Sequence, residues 1–322
     1  MLPYPETIIK TETEDLRIER LQKSNVDDLV QLHTAVYHAP PKYDYHQKYN
    51  TAYTGAAYIG YIAYNKYGEP IAYYGALPCF VQYGQEIFLA AQSADTMTHP
   101  QQRFKGLFVT LSQMTFDLCR QENIKLLFGF PNQNSFHGAI TKLGWTMTES
   151  MCCFTIPVPA LPIAKLSKRW KLFSNIYQRY KKTVLQQIHD PSFTFSNPML
   201  AENFAGVERS ETFLNYKRYS QTDILEIGSA KVWISIKECI LIGDIEGVSE
   251  ANFMKVISGL KQLARRLGIR QLQFHTSPGT QLYSLFAASF TSIVSYPVLF
   301  QDFGSGIPLE KIKFTFADLD IF

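Results

Sequence analysis

Apolar and polar positions in the first half of the chain follow two periods, one typical of strands and the other of helices. Strand-like runs, alternating or continuously apolar, occupy residues 16–21, 56–64, 71–80, 86–97, 125–130 and 146–158. Helical spacing predicts a helix after Ser24 or Asn25, a second over Leu107–Gln121, and a third that ends at Leu143 before Gly144. The predicted order is strand, helix, three antiparallel strands, helix, strand, helix, strand.

The second half repeats this succession in outline, after a proline-rich break at residues 157–162 (PVPALP). Its strands are predicted over 231–236, 239–245, 271–275 and 291–301, and its helices over 249–267 and 280–288. Because the two halves present their elements in a corresponding order, a duplicated fold is the natural interpretation. We therefore expect an α/β (α+β) protein with domains over 1–158 and 191–322, joined by a proline-containing linker and basic helix over 159–190.

Composition and charge narrow the class of protein without adding a function. The 322 residues suffice for two domains of about 150 residues each. A net charge of +3 does not indicate a nucleic-acid binder, and no run reaches the ~18 apolar residues of a membrane span. The N-terminus lacks the pattern of a signal peptide, so a cytoplasmic protein is expected.

The five cysteines contain no CxxC pair. Neither a disulfide framework nor a zinc site is therefore predicted, and no metal is expected. Adjacent Cys152 and Cys153 are interpreted as small buried hydrophobes, with a nucleophilic role as the alternative.

Two segments leave more than one interpretation open. Residues 165–182 carry seven Lys or Arg and no acid, which fits either a solvated helix face or a contact with cofactor phosphates or an acidic partner. The loop over 39–46 (APPKYDYH) fits either a pocket lining or a surface loop pinned by its tyrosines.

The turn before the helix at Leu107 is the strongest candidate for a binding site. His99-Pro100 ends the preceding strand, and residues 101–106 (QQRFKG) lead directly into the helix N-terminus. The first N–H groups of a helix have no intrahelical acceptor, and the helix dipole favours negative charge there. Arg103 and Lys105 add positive charge. The turn is therefore predicted to hold a phosphate or pyrophosphate.

The strand order and this turn together resemble the GNAT superfamily of acyl-CoA-dependent N-acyltransferases. The family signature, Arg/Gln-x-x-Gly-x-Gly/Ala, is matched by residues 103–108 (RFKGLF), with Phe108 in place of the usual small residue. Residues 129–145 (GFPNQNSFHGAITKLGW) are similar to the strand, turn and helix after the cofactor site in many bacterial members. The resemblance covers 14–158 and implies two GNAT-like domains, each a mixed, mostly antiparallel sheet flanked by helices, the second degenerate.

For the site, the resemblance implies coenzyme A, delivered as acetyl-CoA. The turn would hold its pyrophosphate through residues Gln102, Arg103, Phe104, Lys105, Gly106 and Leu107. The strand would pair its backbone with the pantetheine arm at Thr96, Met97 and Thr98. Asn132 or Asn134, after the fifth strand, would contact the pantetheine or its phosphates.

Acyl transfer to an amine requires a base near the amine and an acid for the leaving thiolate. Family members often place a carboxylate on the strand before the turn, which indicates Asp95, although Asp95 also fits a residue that only fixes the loop. Glu86 and His99 are weaker candidates. The usual acid is a tyrosine on the helix after the fifth strand. Here Phe136 and His137 stand there, so either His137 substitutes, or the acid comes from elsewhere, or none is used.

The predicted function is N-acetyltransfer from a coenzyme A thioester to a primary amine by direct attack in a ternary complex. The acceptor is expected to be a small molecule, an amino sugar or a peptide, and no nucleic acid is expected. Two alternatives stay open: a non-catalytic acyl-CoA-binding module, and an aminoacyl transferase related to the peptidoglycan-bridge enzymes. The matching turn of the second half, residues 243–250, holds three acids and no Lys or Arg, so no coenzyme A is expected there.

Overall fold

The computed structural model describes residues 7–10, 15–167, 171–190 and 192–322. It divides into two compact units, each containing an open sheet flanked by helices, which is the mixed α/β class that the sequence predicts. The first unit comprises Met1–Val81, Glu86–Thr148 and Val298–Ile307. The second comprises Gln82–Gln85, Glu149–Pro297 and Pro308–Phe322.

The first unit takes most of its elements from the N-terminal part of the chain. Its strands are Thr7–Lys10 (β1), Asp15–Arg20 (β2), Ile59–Tyr64 (β3), Pro70–Tyr83 (β4), Glu86–Thr98 (β5) and Leu126–Gly129 (β6). Its helices are Val26–Tyr37 (α1), Tyr45–Lys48 (α2), Leu107–Gln121 (α3) and Gln133–Leu143 (α4). The strands lie side by side in chain order, and the pairs β1–β2, β2–β3 and β3–β4 are antiparallel.

Strands β5 and β6 are parallel, because α3 carries the chain back across the sheet between them. They pair over three residues only, from Ala90 opposite Leu126 to Gln92 opposite Phe128. Among the described residues, 93–98 of β5 extend past this paired region without a partner on β6. The two strands therefore part at the end where β5 leads into the turn at residues 99–106.

Both faces of this sheet are covered. Helix α3 packs Leu107, Leu111 and Leu118 on one face with apolar residues of β3, β4 and β6. Helix α1 packs Leu29 and Leu32 on the other, together with the tyrosines of α2 and the end of β5. Alternate residues of β4 serve the two cores, as the period of a strand requires.

The second unit repeats the succession of antiparallel strands, helix and parallel strand. The strands that lie in it wholly or in part are Thr146–Pro157 (β7), Gly206–Val207 (β8), Thr222–Ile227 (β9), Ala230–Ile236 (β10), Ile240–Glu246 (β11), Gln271–Thr276 (β12) and Ser292–Asp302 (β13). Its helices are Ile163–Ser167 (α5), Lys171–Gln186 (α6), Pro198–Ala201 (α7), Glu211–Lys217 (α8), Glu250–Leu267 (α9) and Gln281–Ala287 (α10). β9, β10 and β11 are antiparallel, and α9 connects β11 to its parallel neighbour β12.

The units differ from the predicted domain bounds, and two strands show the difference most clearly. The strand predicted over 146–158 exists as β7, but its residues 149–157 belong to the second unit, where they pair antiparallel with β12. Conversely, residues 298–302 of β13 belong to the first unit and pair antiparallel with β6. The sequence also missed β1 and β9. The alternation of a strand shows which face is buried but carries no information about its partner.

The basic segment predicted over 165–182 is described only in part, since residues 168–170 lie outside the described residues. Its continuation α6 packs on the end of α9, where Tyr177 Oη donates to the carbonyl of Leu267 and Tyr180 Oη to that of Arg266, both at 2.9 Å. Within the described residues, no helix combines the length and the apolar character needed to cross a membrane.

Candidate active site

The turn between β5 and α3 is built from a short 3-10 turn and two left-handed residues. His99 Nδ1 lies 3.4 Å from the Gln101 N–H and caps the 3-10 turn over Pro100–Gln102. Phe104 and Gly106 then take φ values of +69° and +77°, which reverse the chain into the first turn of α3. His99 is thus part of the turn that precedes the helix.

Several backbone N–H groups of this turn lack an acceptor. Val109 and Thr110 donate to the carbonyl of Gly106 at 3.0 and 3.1 Å, but none of the described residues provides a backbone acceptor for the N–H groups of Phe104, Gly106, Leu107 and Phe108. An ideal Cβ on Gly106 would meet no atom within 4 Å, so the space beside these donors is open. Unpaired donors, an open helix N-terminus and nearby Arg103 and Lys105 fit an anion such as pyrophosphate.

The other predicted cofactor residues differ in whether a ligand can reach their side chains or only their backbones. Met97 and Leu107 are buried in the two cores of the unit, so only their backbones are available to a ligand. Thr96 and Thr98 are half-buried on the free end of β5, and Lys105 is exposed. Gln102 is half-buried, and its buried Oε1 has no hydrogen-bond partner among the described residues. Backbone recognition therefore fits this strand better than recognition by side chains.

Asn132, predicted to contact the cofactor, caps helix α4 in the structure. Its Oδ1 accepts from the N–H groups of Asn134 at 2.9 Å and Ser135 at 3.2 Å. Asn134 is exposed in the first turn of the helix, and His137 is exposed one turn further on. In the described part of the chain, the His137 side chain forms no hydrogen bond or ion pair. The structure therefore leaves the acid role of His137 as a prediction.

We expect Asn132→Ala to lower the free energy of unfolding by about 1 kcal/mol, because two N–H groups of α4 lose their acceptor. Asn132→Ser retains a capping oxygen and should recover most of that loss in urea unfolding. Calorimetric titration with coenzyme A separates the two roles. A serine variant with normal stability and weakened coenzyme A binding would show that Asn132 also contacts the cofactor.

Asp95 lies on the free end of β5 in an unusual backbone conformation. Its φ of +49° is left-handed, and the alternation of the strand shifts there, since Ala94 and Met97 both enter the core beneath α1. Its Oδ2 accepts from Lys48 Nζ at 2.6 Å and from Tyr49 Oη at 2.7 Å. The sequence identified Asp95 but missed both partners, which come from α2 and the residue after it.

The groups around Asp95 form a mostly neutral environment. Burial raises the pKa of Tyr49 well above its ordinary value, and the Asp95 carboxylate raises it further. Burial also raises the pKa of Tyr73 on β4. The pKa of Tyr37 at the end of α1 is raised by burial and by Asp95 and lowered by Arg103. Tyr37 therefore lies within electrostatic reach of both the carboxylate and the turn.

Residues 17–148 match a family model described as an acetyltransferase (GNAT) domain. The chain carries a GNAT acetyltransferase domain. The matched range includes β5, the turn, α3, β6 and α4, and thus every predicted site residue. Members of this family generally use acetyl-CoA and an amine acceptor, and residues 17–148 are identified as a GNAT-type acetyltransferase domain.

Solved structures of GNAT proteins share this fold. A GCN5-related N-acetyltransferase from Kribbella flavida superposes with a TM-score of 0.58 at 12% identity, covering 90% of this chain and 71% of its own. One from Anabaena variabilis gives a TM-score of 0.55 at 14% identity, covering 90% and 73%. At such identities the likeness concerns the fold alone. No curated protein matches the chain in sequence.

The corresponding opening in the second unit is filled by the chain itself. β11 and β12 pair from Ile240 to Ile242, as β5 and β6 do over three residues in the GNAT domain. At the next residue, Gly243, an ideal Cβ would lie 2.2 Å from the ring of Phe322. On the other strand, Thr276 forms a bridge with Thr315. The C-terminal segment thus lies where the two strands part.

Proposed function

We propose that this chain transfers an acetyl group from acetyl-CoA to a primary amine, with the cofactor bound at the turn before α3. The observation that carries the proposal is the set of N–H groups at Phe104, Gly106, Leu107 and Phe108, for which none of the described residues provides a backbone acceptor, beside the open space at Gly106. These donors match the pyrophosphate, and Arg103 and Lys105 match its charge. The backbone of residues 96–98, which has no partner on β6, matches the amides of the pantetheine arm.

When bound, the cofactor supplies an acyl group activated as a thioester. Asp95 then holds the acceptor amine and takes its proton at a carboxylate oxygen, and His137 on α4 donates a proton to the departing sulfur. The turn binds and orients the cofactor through its backbone. The reacting side chains, Asp95 and His137, are positioned by β5 and α4. Positioning of this kind accounts for a large part of the rate in transfer between two bound substrates.

The second unit is proposed to be a degenerate GNAT-like domain that binds no coenzyme A. The segment that the sequence predicts as its turn carries acids in place of cations, Asp244 and Glu246 at the end of β11 and Glu250 at the start of α9. The parting strands are occupied by the C-terminal segment. The paired arrangement supports the tandem organisation expected from the sequence. The turn at residues 101–106, with the N–H groups that follow it into α3, forms an anion cradle in the first unit. This cradle favours coenzyme A over aminoacyl-tRNA as the acyl donor.

The function is tested by thiol release from acetyl-CoA with a panel of amines. The panel should contain amino sugars, polyamines, amino acids and peptides with free N-termini or lysines. We expect thiol release above the amine-free blank with at least one class, together with an acetylated product of matching mass. Coenzyme A binding without release for any amine would contradict the enzyme and support the non-catalytic binding module.

A further inference from the structure

We propose that Lys48 and Tyr49 are positioning residues that hold the Asp95 carboxylate by one oxygen and leave the other for the acceptor amine. This inference deepens the proposed function and rests on it. Its basis is the geometry of three residues that the structure brings together from α2 and β5. Neither Lys48 nor Tyr49 belongs to the site that the sequence predicts.

The backbone of Asp95 is the first observation. The residue lies three positions beyond Gln92, the last residue of β5 that pairs with β6, and so stands where the strands part. Left-handed non-glycine residues cost on the order of 1–3 kcal/mol and persist where their surroundings fix them. Here the side chain is fixed by two short hydrogen bonds. The strained conformation thus places one particular carboxylate at the free end of the strand.

The burial of the two donors is the second observation. The Lys48 side chain is 1% exposed, and Tyr49 is likewise 1% exposed, whereas 18% of the Asp95 side chain remains accessible. A buried ammonium requires a counter-charge, and the carboxylate at 2.6 Å provides one. The ion pair therefore ties the carboxylate to a side chain that is itself held inside the core.

The third observation is that the two oxygens of the Asp95 carboxylate differ in their hydrogen-bond partners. Both donors converge on Oδ2, at distances typical of charge-assisted hydrogen bonds. Oδ1 accepts no hydrogen bond from the described residues and is not among their buried unpaired atoms. With Oδ2 occupied by buried donors, Oδ1 is the oxygen left to meet an amine.

The remaining groups near Asp95 contribute little competing charge. Tyr37 of α1, Tyr49 just after α2 and Tyr73 of β4 all have raised pKa values and are neutral at physiological pH. Lys48 of α2 and Arg103 of the turn are the cations whose influence reaches this cluster. Tyr45 stacks edge-on against Tyr49 and supports its ring. Removing a donor to Oδ2 should therefore act directly on the position of the Asp95 carboxylate.

The test compares Tyr49→Phe with Tyr64→Phe. Tyr64 is a matched control, because it is equally buried, belongs to the same core and donates to another carboxylate, Asp28, at 2.8 Å. With the best amine of the panel, Tyr49→Phe should lower kcat about tenfold and leave the KM for acetyl-CoA unchanged. Tyr64→Phe should leave kcat close to that of the wild type, and both variants should bind coenzyme A like the wild type.

Lys48 variants extend the test to the charge. Lys48→Arg should retain most of the activity, whereas Lys48→Met should lower kcat/KM about 100-fold if it folds. Equal kcat values for Tyr49→Phe and Tyr64→Phe would overturn the positioning role while leaving the acetyltransferase intact. A wild-type chain that binds coenzyme A but acetylates no amine would instead overturn the proposed function and, with it, this inference.

Discussion

Gly106→Asp is expected to abolish coenzyme A binding, with a loss of affinity of at least about 100-fold. The new carboxylate would enter the open space beside the N–H groups that lack acceptors. Like charges about 5 Å apart repel by roughly 3 kcal/mol at the effective dielectric of a protein surface, which alone exceeds a 100-fold effect. The left-handed φ of +77° adds backbone strain. Calorimetric titration with coenzyme A measures the result.

The control for this variant is Gly68→Asp. Gly68 has a φ of +79° and, like Gly106, open space where a Cβ would lie, but it sits in the turn between β3 and β4. It therefore carries the same backbone strain and the same added charge away from the candidate site. Gly106→Ala separates strain from charge and should lose less affinity than the aspartate. Equal coenzyme A binding by Gly106→Asp and Gly68→Asp would contradict the assignment of the cradle.

The cradle was predictable because its properties are local. A helix N-terminus leaves its N–H groups unpaired whatever the rest of the chain does, and the bounds of α3 agree with the spacing of its apolar residues. Gly144 likewise ends α4 in the left-handed conformation expected of it. Such signals need only a few contiguous residues. The family model then confirmed the superfamily that the signature indicated.

The partners of Asp95 were not predictable in the same way. Lys48 and Tyr49 are separated from it by more than 40 residues, and they lie at the end of a four-residue helix with no strong period. From the sequence, Lys48 is expected to lie at the surface, since isolated lysines are almost never fully buried. Only the packing of α2 against the end of β5 shows that this lysine is paired with a carboxylate.

Asn132 illustrates a different limit on what can be predicted from sequence. Its position after the fifth strand matched a family role in cofactor binding, yet the same position is also the N-cap of α4. Asparagine serves both purposes, so the residue type does not distinguish them. The structure shows the cap, and the contact with cofactor stays a prediction.

The second prediction with a large expected effect concerns a network of buried charged side chains in the second unit. Arg209 Nη1 lies 2.6 Å from Asp244 Oδ2, and its Nη2 lies 3.0 Å from Asp318 Oδ1. All three side chains are essentially inaccessible to solvent. The Thr315 hydroxyl is 3.0 Å from Asp244 Oδ2, which ties the network to the C-terminal segment. This segment is the one that lies where β11 and β12 part.

We expect Arg209→Met to lower the free energy of unfolding by about 3–5 kcal/mol at pH 7, because two buried carboxylates lose their counter-charge. Methionine retains much of the length of the side chain, so the change is mainly one of charge. Trp233, whose ring lies 5.5 Å from the guanidinium, offers a fluorescence signal for urea unfolding. Against a total stability of about 5–15 kcal/mol for a typical domain, this loss is large.

The pH dependence identifies the cause of that loss. Burial raises the pKa of Asp244 from 3.8 to about 6, although Arg209 opposes the shift. The folded state therefore binds this proton more tightly than the unfolded state, and the stability it contributes is present below pH 3.8 and lost as pH rises through about 6. Without Arg209 the Asp244 carboxyl group should protonate at still higher pH. The deficit of Arg209→Met should accordingly be largest at pH 7 and shrink toward pH 5.

Variants in which neutral side chains replace the buried carboxylates provide the decisive comparison. Adding Asp244→Asn and Asp318→Asn to Arg209→Met removes the uncompensated charges, so the triple variant should recover part of the lost stability at pH 7. Asp244→Asn alone should flatten the fall in stability between pH 4 and pH 6 that this group contributes to the wild type. If Arg209→Met were equally unstable at pH 5 and pH 7 and were not improved by the asparagines, lost packing on Phe195 and Trp233, and not buried charge, would explain its instability.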